Sequence, residues 1–284
     1  MDSEHELDRF HDIELDGWRR LAAGYAQQLA HLMSQAIEPL LDAAACAAGS
    51  QVLDLCCGPG HASDAIRRRG AVPRGVDFAP EMVALAREKW PGLAFEVGDA
   101  ENLVEPDQSF DAVVMNFGLL HLARPEAALR HVARVLKPGG RFAFTVWATP
   151  AESIGQRIML GALNAHGSME VGLPAGPPLF RFADQQECAA LLAGAGLADM
   201  TFRKLQLRLD VPAPDGLFDA YSAGAVRIAI ILARQTPEAL GKIREAVRAA
   251  CADYERGGML GIPMTAVLVS GRRGAISSSA PRRA

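Results

Sequence analysis

Between residues 51 and 147 the chain alternates short apolar runs with amphipathic stretches: "QVLDLC", "HASDAIRRR", "VPRGVDF", "APEMVALAREKW", "LAFEVG", then "FDAVVMNF", "RPEAALRHVARVL" and "GGRFAFTVW". Strand and helix in regular turn is the pattern of βαβ units, which assemble into a parallel sheet with helices on its faces. Strands buried on both faces should be almost continuously apolar, and "DAVVMNF" and "RFAFTVW" are. The expected fold class is therefore α/β, built on a doubly wound sheet.

The flanking segments read differently. Residues 13–47 read as two helices, "LDGWRRLAAGYAQQLAHLM" and "AIEPLLDAAACAAG", with an apolar stripe through Trp18, Leu21, Tyr25 and Leu29. Beyond Trp147 come a short helix, "ESIGQRIMLGALNAH", the Gly/Pro-rich "GLPAGPPLFRF", a helix over 183–194, a strand "MTFRKLQLRLDV", and a helical region over 214–256. Within it, "TPEALGKIREAVRAACADYERGG" opens on a threonine cap and Pro237 and closes on Gly257 and Gly258. Its apolar positions Leu240, Ile243, Val247, Cys251 and Tyr254 share one face. "PMTAVLVSGRR" reads as a last strand and "GAISSSAPRRA" as a disordered tail. The expected organisation is an N-terminal helical cap (1–50), a ligand-binding core (51–148), the rest of the sheet with helical insertions (149–273) and the tail (274–284).

Composition narrows the partners. With 284 residues, half of them apolar, the chain suffices for one large α/β domain with extra helices or for two small domains. Its net charge of −4 and lack of a clustered basic face argue against nucleic acid. No apolar run approaches the ~20 residues of a membrane span. The stretch "MDSEHELDRFHDIELDG" is acidic and polar, unlike a signal peptide. Cys46, Cys56, Cys57, Cys188 and Cys251 are odd in number and scattered, which points to a reducing, cytoplasmic setting and away from a disulfide framework. No spacing of His or Cys marks a metal site. The alanine- and arginine-rich composition fits a GC-rich bacterium.

In a doubly wound sheet, ligands sit beyond the carboxyl ends of the strands, where the strand order reverses. The loop after "QVLDLC", residues 57–61, belongs there, and Gly58 and Gly60 permit close backbone approach. A nicotinamide site wants a third glycine at position 63, which is Ser63, and no Walker loop is present. Asp77, at the tip of the next strand, can accept hydrogen bonds from vicinal ribose hydroxyls, a feature that NAD and S-adenosylmethionine sites share. Asp54, just ahead of the glycines, separates them. A pyrophosphate has no use for that negative charge, whereas an ammonium and a sulfonium do.

Together "VLDLCCGPG", "GVDFAPEMVALAR", "GDAENL", "FDAVVMNFGLLHL" and "RVLKPGGRFAFTVW" resemble the class I S-adenosylmethionine-dependent methyltransferases, in the small-molecule branch similar to the ubiquinone/menaquinone-type enzymes. The likeness covers roughly residues 15–150. It implies a Rossmann-like seven-stranded sheet with its last strand antiparallel, N-terminal helices and helical lid insertions. It further implies that Gly58, Gly60 and Cys56 line the methionine part of S-adenosylmethionine and that Asp54 holds its amino group. Asp77 would take the ribose, Phe78 and Met82 the adenine, Asp99 and the Ala100 N–H the adenine edge, and Asn116 would offer its carbonyl beside the sulfonium. One departure stands out: such enzymes often follow "GDAE" with Leu-Pro-Phe, and here the chain reads "NLVEPDQSFD".

The implied activity is transfer of a methyl group to O, N or C of a small, apolar or aromatic metabolite in biosynthesis or secondary metabolism, leaving S-adenosylhomocysteine. In-line displacement is accelerated by alignment and water exclusion, and a base is needed only where the nucleophile must lose a proton. His121 either takes that proton or pins the loop after the fourth strand. Tyr25 and Trp18 either close over the cofactor or pack between helices. Trp147, His166, Phe218 and Tyr221 either wall the acceptor pocket or belong to the core. His61 opens the first helix and caps or solvates it. A homodimer is open to such a chain. The alternative within the fold is a protein that binds S-adenosylmethionine without methyl transfer, cyclase-like or regulatory; the intact glycines and Asp77 argue against a regulatory scaffold.

Overall fold

The structure is a computed structural model and describes residues 3–274. Five strands, β1 (Gln51–Leu55), β2 (Val72–Asp77), β3 (Ala94–Val97), β4 (Phe110–Asn116) and β5 (Leu136–Trp147), run parallel. β6 (Leu197–Pro212) closes the far edge, the two-residue β7 (Glu255–Arg256) turns back, and β8 (Met259–Arg273) inserts antiparallel between β5 and β6. The sheet order is β3-β2-β1-β4-β5-β8-β6, so the seven expected long strands and the antiparallel last one are present, with β7 as a short addition on β8. The order reverses between β1 and β4, which opens the crevice there.

The period of two along each strand divides the core into two layers. Val52, Ala112, Val114, Ala143 and Leu268 face one side, beneath α3 (Ile37–Ala43) and α4 (His61–Arg68). Leu53, Leu55, Val113, Met115, Phe142 and Phe144 face the other, against α6 (Pro125–Val135) and its neighbours. α5 (Pro80–Lys89) crosses from β2 to β3. After β5 come α7 (Ile154–His166) and α8 (Gln185–Gly194), and after β6 come α9 (Gly216–Gly224), α10 (Val226–Ala233) and α11 (Pro237–Cys251). The helical region over 214–256 is thus three helices, the first two meeting at an angle of 103° across Ala225. α11 starts as expected, with the Thr236 hydroxyl accepting from the Ala239 N–H at 3.2 Å. No single helix among the described residues is long and apolar enough to cross a membrane. Except for Gly274, the expected tail over 274–284 lies outside the described residues.

The N-terminal region departs most from the sequence reading. α1 (Ser3–Gln28) begins ten residues before the expected helical region, inside the acidic, polar stretch, and the first expected helix breaks after Gln28, so that α2 (Ala30–Ser34) is its last turn and α3 alone is the second. The buried stripe of α1 runs through Phe10, Glu14, Gly17 and Ala22, with a carboxylate and a glycine where an apolar pattern would show leucines. The glycines have a packing reason. A Cβ on Gly17 would stand 2.3 Å from Val226 Cγ1, and one on Gly24 only 2.2 Å from the Ala223 carbonyl oxygen. Backbone therefore meets backbone where α1 crosses the α9–α10 corner. Alanine at position 24 would gain about 1 kcal/mol of helix propensity but lose about 2–4 kcal/mol to overpacking against an immovable carbonyl. Gly24→Ala is expected to lower stability by about 1–3 kcal/mol in urea unfolding; unchanged or higher stability would show that α1 docks otherwise.

Candidate functional site

Three cavities meet at the carboxyl ends of β1, β2 and β4. The largest, about 690 Å3, is apolar and aromatic, with Trp18, Phe117, Trp147, Tyr221, Ile228 and Met264 on its walls. The second, about 630 Å3, runs over the tips of β1 and β2 past Gly58, Asp77, Phe78, Met82, Asp99 and Ala100. The third, about 340 Å3, lies under the loop after β1, among Asp54, Cys56, Gly58, His61 and Asn116. Trp18, Tyr25, Phe117 and His121 line both of the first two, and Tyr25 borders all three.

The loop after β1 is fixed by its own backbone. Gly58 has φ +52°, and no atom lies within 4 Å of where its Cβ would stand, so the missing side chain leaves an open cradle. Its N–H donates to Asp77 Oδ2 at 2.9 Å, and the Ala79 N–H donates to Asp77 Oδ1 at 2.9 Å. Each carboxylate oxygen keeps a lone pair for a ligand. Gly60 is different: it does not border the cavities. It starts α4 at φ +77°, and a Cβ there would lie 2.7 Å from Phe95 Cζ, so its role is packing against Phe95 and Trp90. The Trp90 indole N–H clips the same loop by donating to the Pro59 carbonyl at 3.0 Å. Cys56 (φ +58°) and Phe117 (φ +57°) are non-glycine residues in the left-handed region, at the ends of β1 and β4, where such strain costs about 1–3 kcal/mol each.

Electrostatics separate the cavities. The second and third are lined by Asp54, Asp77, Asp99 and Glu101, and no Lys or Arg is among their walls. Strand period puts Asp54 on the α4 side of the sheet, where Ser63 Oγ donates to it at 2.7 Å. Burial lifts the Asp54 carboxyl to about 7 against that hydrogen bond, and burial likewise lifts Asp77 to about 6. Asp99 is set apart by α1. Burial pushes it up, but the hydrogen bond with His11 Nε2 at 3.1 Å and the Glu101 N–H at 2.8 Å outweigh it, and its carboxyl lies below the usual range. The hydrogen bond to Asp99 in turn raises His11, whose ring meets Phe78 edge-on. Burial drives the Cys56 and Cys57 thiols far up, so they are inert walls. Burial and then Lys89 lower His61 to about 4, so it is neutral there.

His121 stands where the first two cavities join. Its Nδ1 is 2.9 Å from Glu14 Oε2, and its ring packs edge-on to Trp18 at 4.8 Å. Asn116 is tied on both sides, its amide donating to the Met33 carbonyl at 3.1 Å and its Oδ1 accepting from Thr145 at 2.7 Å. Tyr221 borders the apolar cavity with a buried hydroxyl that has no partner among the described residues.

Besides Gly60, two expected residues fall outside the cavities. His166 is exposed at the end of α7, one turn past the inward-facing Met159 and Leu163, and borders none of the three cavities. Phe218 is buried in the core with the Arg244 guanidinium 4.2 Å over its ring. From α7 it is Gln156, 3 % exposed, that reaches the apolar cavity. Sequence reasoning also missed His11, Glu14 and Arg227. The first two lie in the acidic, polar stretch over 1–17, and a buried glutamate and arginine read as surface charge until their partners are seen.

Comparison with known proteins places this geometry. A family model for a methyltransferase domain matches residues 52–140. The chain is 30 % identical over 175 residues to a demethylmenaquinone methyltransferase of Paenarthrobacter aurescens, covering 58 % of this chain and 69 % of that protein. It is 31 % identical over 174 residues to the ubiquinone/menaquinone biosynthesis C-methyltransferase UbiE of Geobacter sulfurreducens, covering 55 % and 67 %. In fold it is similar to the YcgJ protein of Bacillus subtilis, with a TM-score of 0.55 and 24 % identity over 84 % of this chain and 98 % of that one.

The raised Asp54 carboxyl has a measurable sign. Between its ordinary value near 3.8 and about 7 the folded protein holds a proton there that the unfolded chain has lost, so the site's contribution to stability falls as pH rises through that window. Relative to wild type, Asp54→Asn should therefore gain stability steadily from pH 4 to pH 7 and level off above; a constant difference would mean that Asp54 is already ionised at pH 4. Tyr221→Phe removes an orphaned buried hydroxyl and should raise stability by about 1 kcal/mol in the ligand-free protein, read by thermal unfolding.

Proposed function

The chain belongs to the class I S-adenosylmethionine-dependent methyltransferases of the UbiE-like type, and on that premise we propose that it methylates a small aromatic acceptor carrying a phenolic or hydroquinone hydroxyl. One observation carries the reading: an acidic cavity without Lys or Arg and an apolar, aromatic one share the walls Trp18, Tyr25, Phe117 and His121.

The residues present suit the cofactor. The open cradle at Gly58 admits close backbone approach, and the lack of Lys and Arg disfavours a pyrophosphate. Asp77 would accept from the ribose hydroxyls with the lone pairs that Gly58 and Ala79 leave free. Phe78 and Met82 would flank the adenine, with Asp99 and the Ala100 N–H at its edge. Asp54, with Tyr25, Cys56 and Asn116, would surround the methionine end, its carboxylate facing the ammonium. Bound there, S-adenosylmethionine supplies an electrophilic methyl group. The chain then aligns the acceptor and keeps water out, through Trp18, Trp147, Phe117 and Tyr221. His121 is positioned to receive a proton from the acceptor.

The aromatic walls favour a flat ring over a peptide tail. Relatives named for demethylmenaquinone and ubiquinone/menaquinone biosynthesis support the same acceptor class.

Calorimetric titration with S-adenosylhomocysteine, with NADH in parallel, tests the cofactor assignment. Asp77→Ala should weaken binding by about 100-fold, since two hydrogen bonds to a charged group contribute about 3 kcal/mol. Because the ligand's ammonium favours ionised Asp54, binding should release a proton and weaken as pH falls from 7 to 5. Binding of NADH with silence toward the thioether would overturn the assignment.

A further inference from the structure

Glu14 is the most deeply buried carboxylate among the described residues, at 0 % exposure, and it sits on a helix outside the sheet, behind His121. Its two oxygens are divided between two partners. Oε2 meets His121 Nδ1 at 2.9 Å, and Oε1 accepts from Arg227 Nε at 2.8 Å. Arg227 is itself fixed, donating to the Leu120 carbonyl at 2.6 Å and the Pro177 carbonyl at 3.0 Å, with its guanidinium 4.4 Å over the Phe10 ring. The carboxylate can therefore neither rotate away nor find another donor. The remaining ring nitrogen, His121 Nε2, has no partner among the described residues, and the ring borders both the acidic and the aromatic cavity.

We propose that Glu14 is a positioning residue that fixes the tautomer of His121, so that Nδ1 carries the proton and Nε2 is the bare nitrogen presented to an acceptor hydroxyl. The reasoning is one of donor count. An ionised carboxylate only accepts, so the nitrogen facing it must be the one that donates. A neutral imidazole has a single N–H, and committing it to Glu14 leaves Nε2 with its lone pair. The acceptor's O–H bond then breaks toward Nε2: the proton passes to the imidazole, the electron pair stays on the acceptor oxygen, and the imidazolium later returns the proton to solvent. A hydroxyl acidified by an aromatic ring meets that requirement, and methylation at the oxygen or at an adjacent ring carbon both begin from the same anion. The inference rests on the methyltransferase reading for its purpose, while the tautomer is a property of the chain alone.

The test is two-bond 1H–15N spectroscopy of the full-length protein labelled at histidine, at pH 8.5, with His121→Ala to assign the resonances. Wild type should show His121 in the Nδ1–H form. Glu14→Gln has one acceptor oxygen, which Arg227 claims, so its NH2 faces Nδ1 and should shift His121 toward the Nε2–H form, and Glu14→Leu should lose the Nδ1–H preference. Binding of S-adenosylhomocysteine by each variant reports whether the fold and the cofactor site survive. Wild-type His121 in the Nε2–H form, or a Glu14→Leu spectrum identical to wild type in a protein that still binds the thioether, overturns the proposal. If Glu14→Leu does not fold, the wild-type tautomer and the Glu14→Gln spectrum decide alone. Should the thioether fail to bind wild type while the Nδ1–H form is found, the cofactor assignment falls and the positioning role stands.

Discussion

The site depends on what Asp77 does before any ligand arrives. Its two oxygens hold the N–H groups of Gly58 and Ala79, tying the loop after β1 to the start of the segment after β2. That clamp spans neighbouring strands and keeps Gly58 in the left-handed region with its open side toward the cavity. Burying a carboxylate this deeply is costly, and the cost appears as its raised affinity for a proton. Two backbone donors offset part of it. The remainder is the kind of strain that ligand hydroxyls would relieve, and so one residue both shapes the crevice and specifies what enters it.

The central fold was legible because its pattern is local. Continuous apolar strands, amphipathic crossovers and a glycine-bearing first loop depend on neighbours within a few positions, and all fell where they were read. The carboxylates read as disfavouring a dinucleotide do border the crevice, four of them with no Lys or Arg along its acidic cavities. The substitution at position 63 was read as a missing glycine, yet the serine hydroxyl is the partner that keeps buried Asp54 satisfied.

What stayed hidden depends on contacts distant in sequence. Glu14 and Arg227 are 213 positions apart, and each alone looks like solvated charge. Gly17 and Gly24 weaken α1 as an isolated helix and only make sense against Val226 and the Ala223 carbonyl. His166 and Phe218 failed for a related reason. Membership of an inserted helix says nothing of its rotation, and α7 turns Gln156 inward while its last turn leads His166 to the surface.

α1 supplies His11 to one cavity, Trp18 to two, and Tyr25 to all three. A helix that walls two ligands at once makes their occupancies interdependent. Whatever free energy the first ligand contributes to seating α1, the second finds already supplied, and reciprocity requires that the same factor operate in either order of binding. Cofactor and acceptor affinity are therefore joint properties of the pair, and neither has a single value independent of the other.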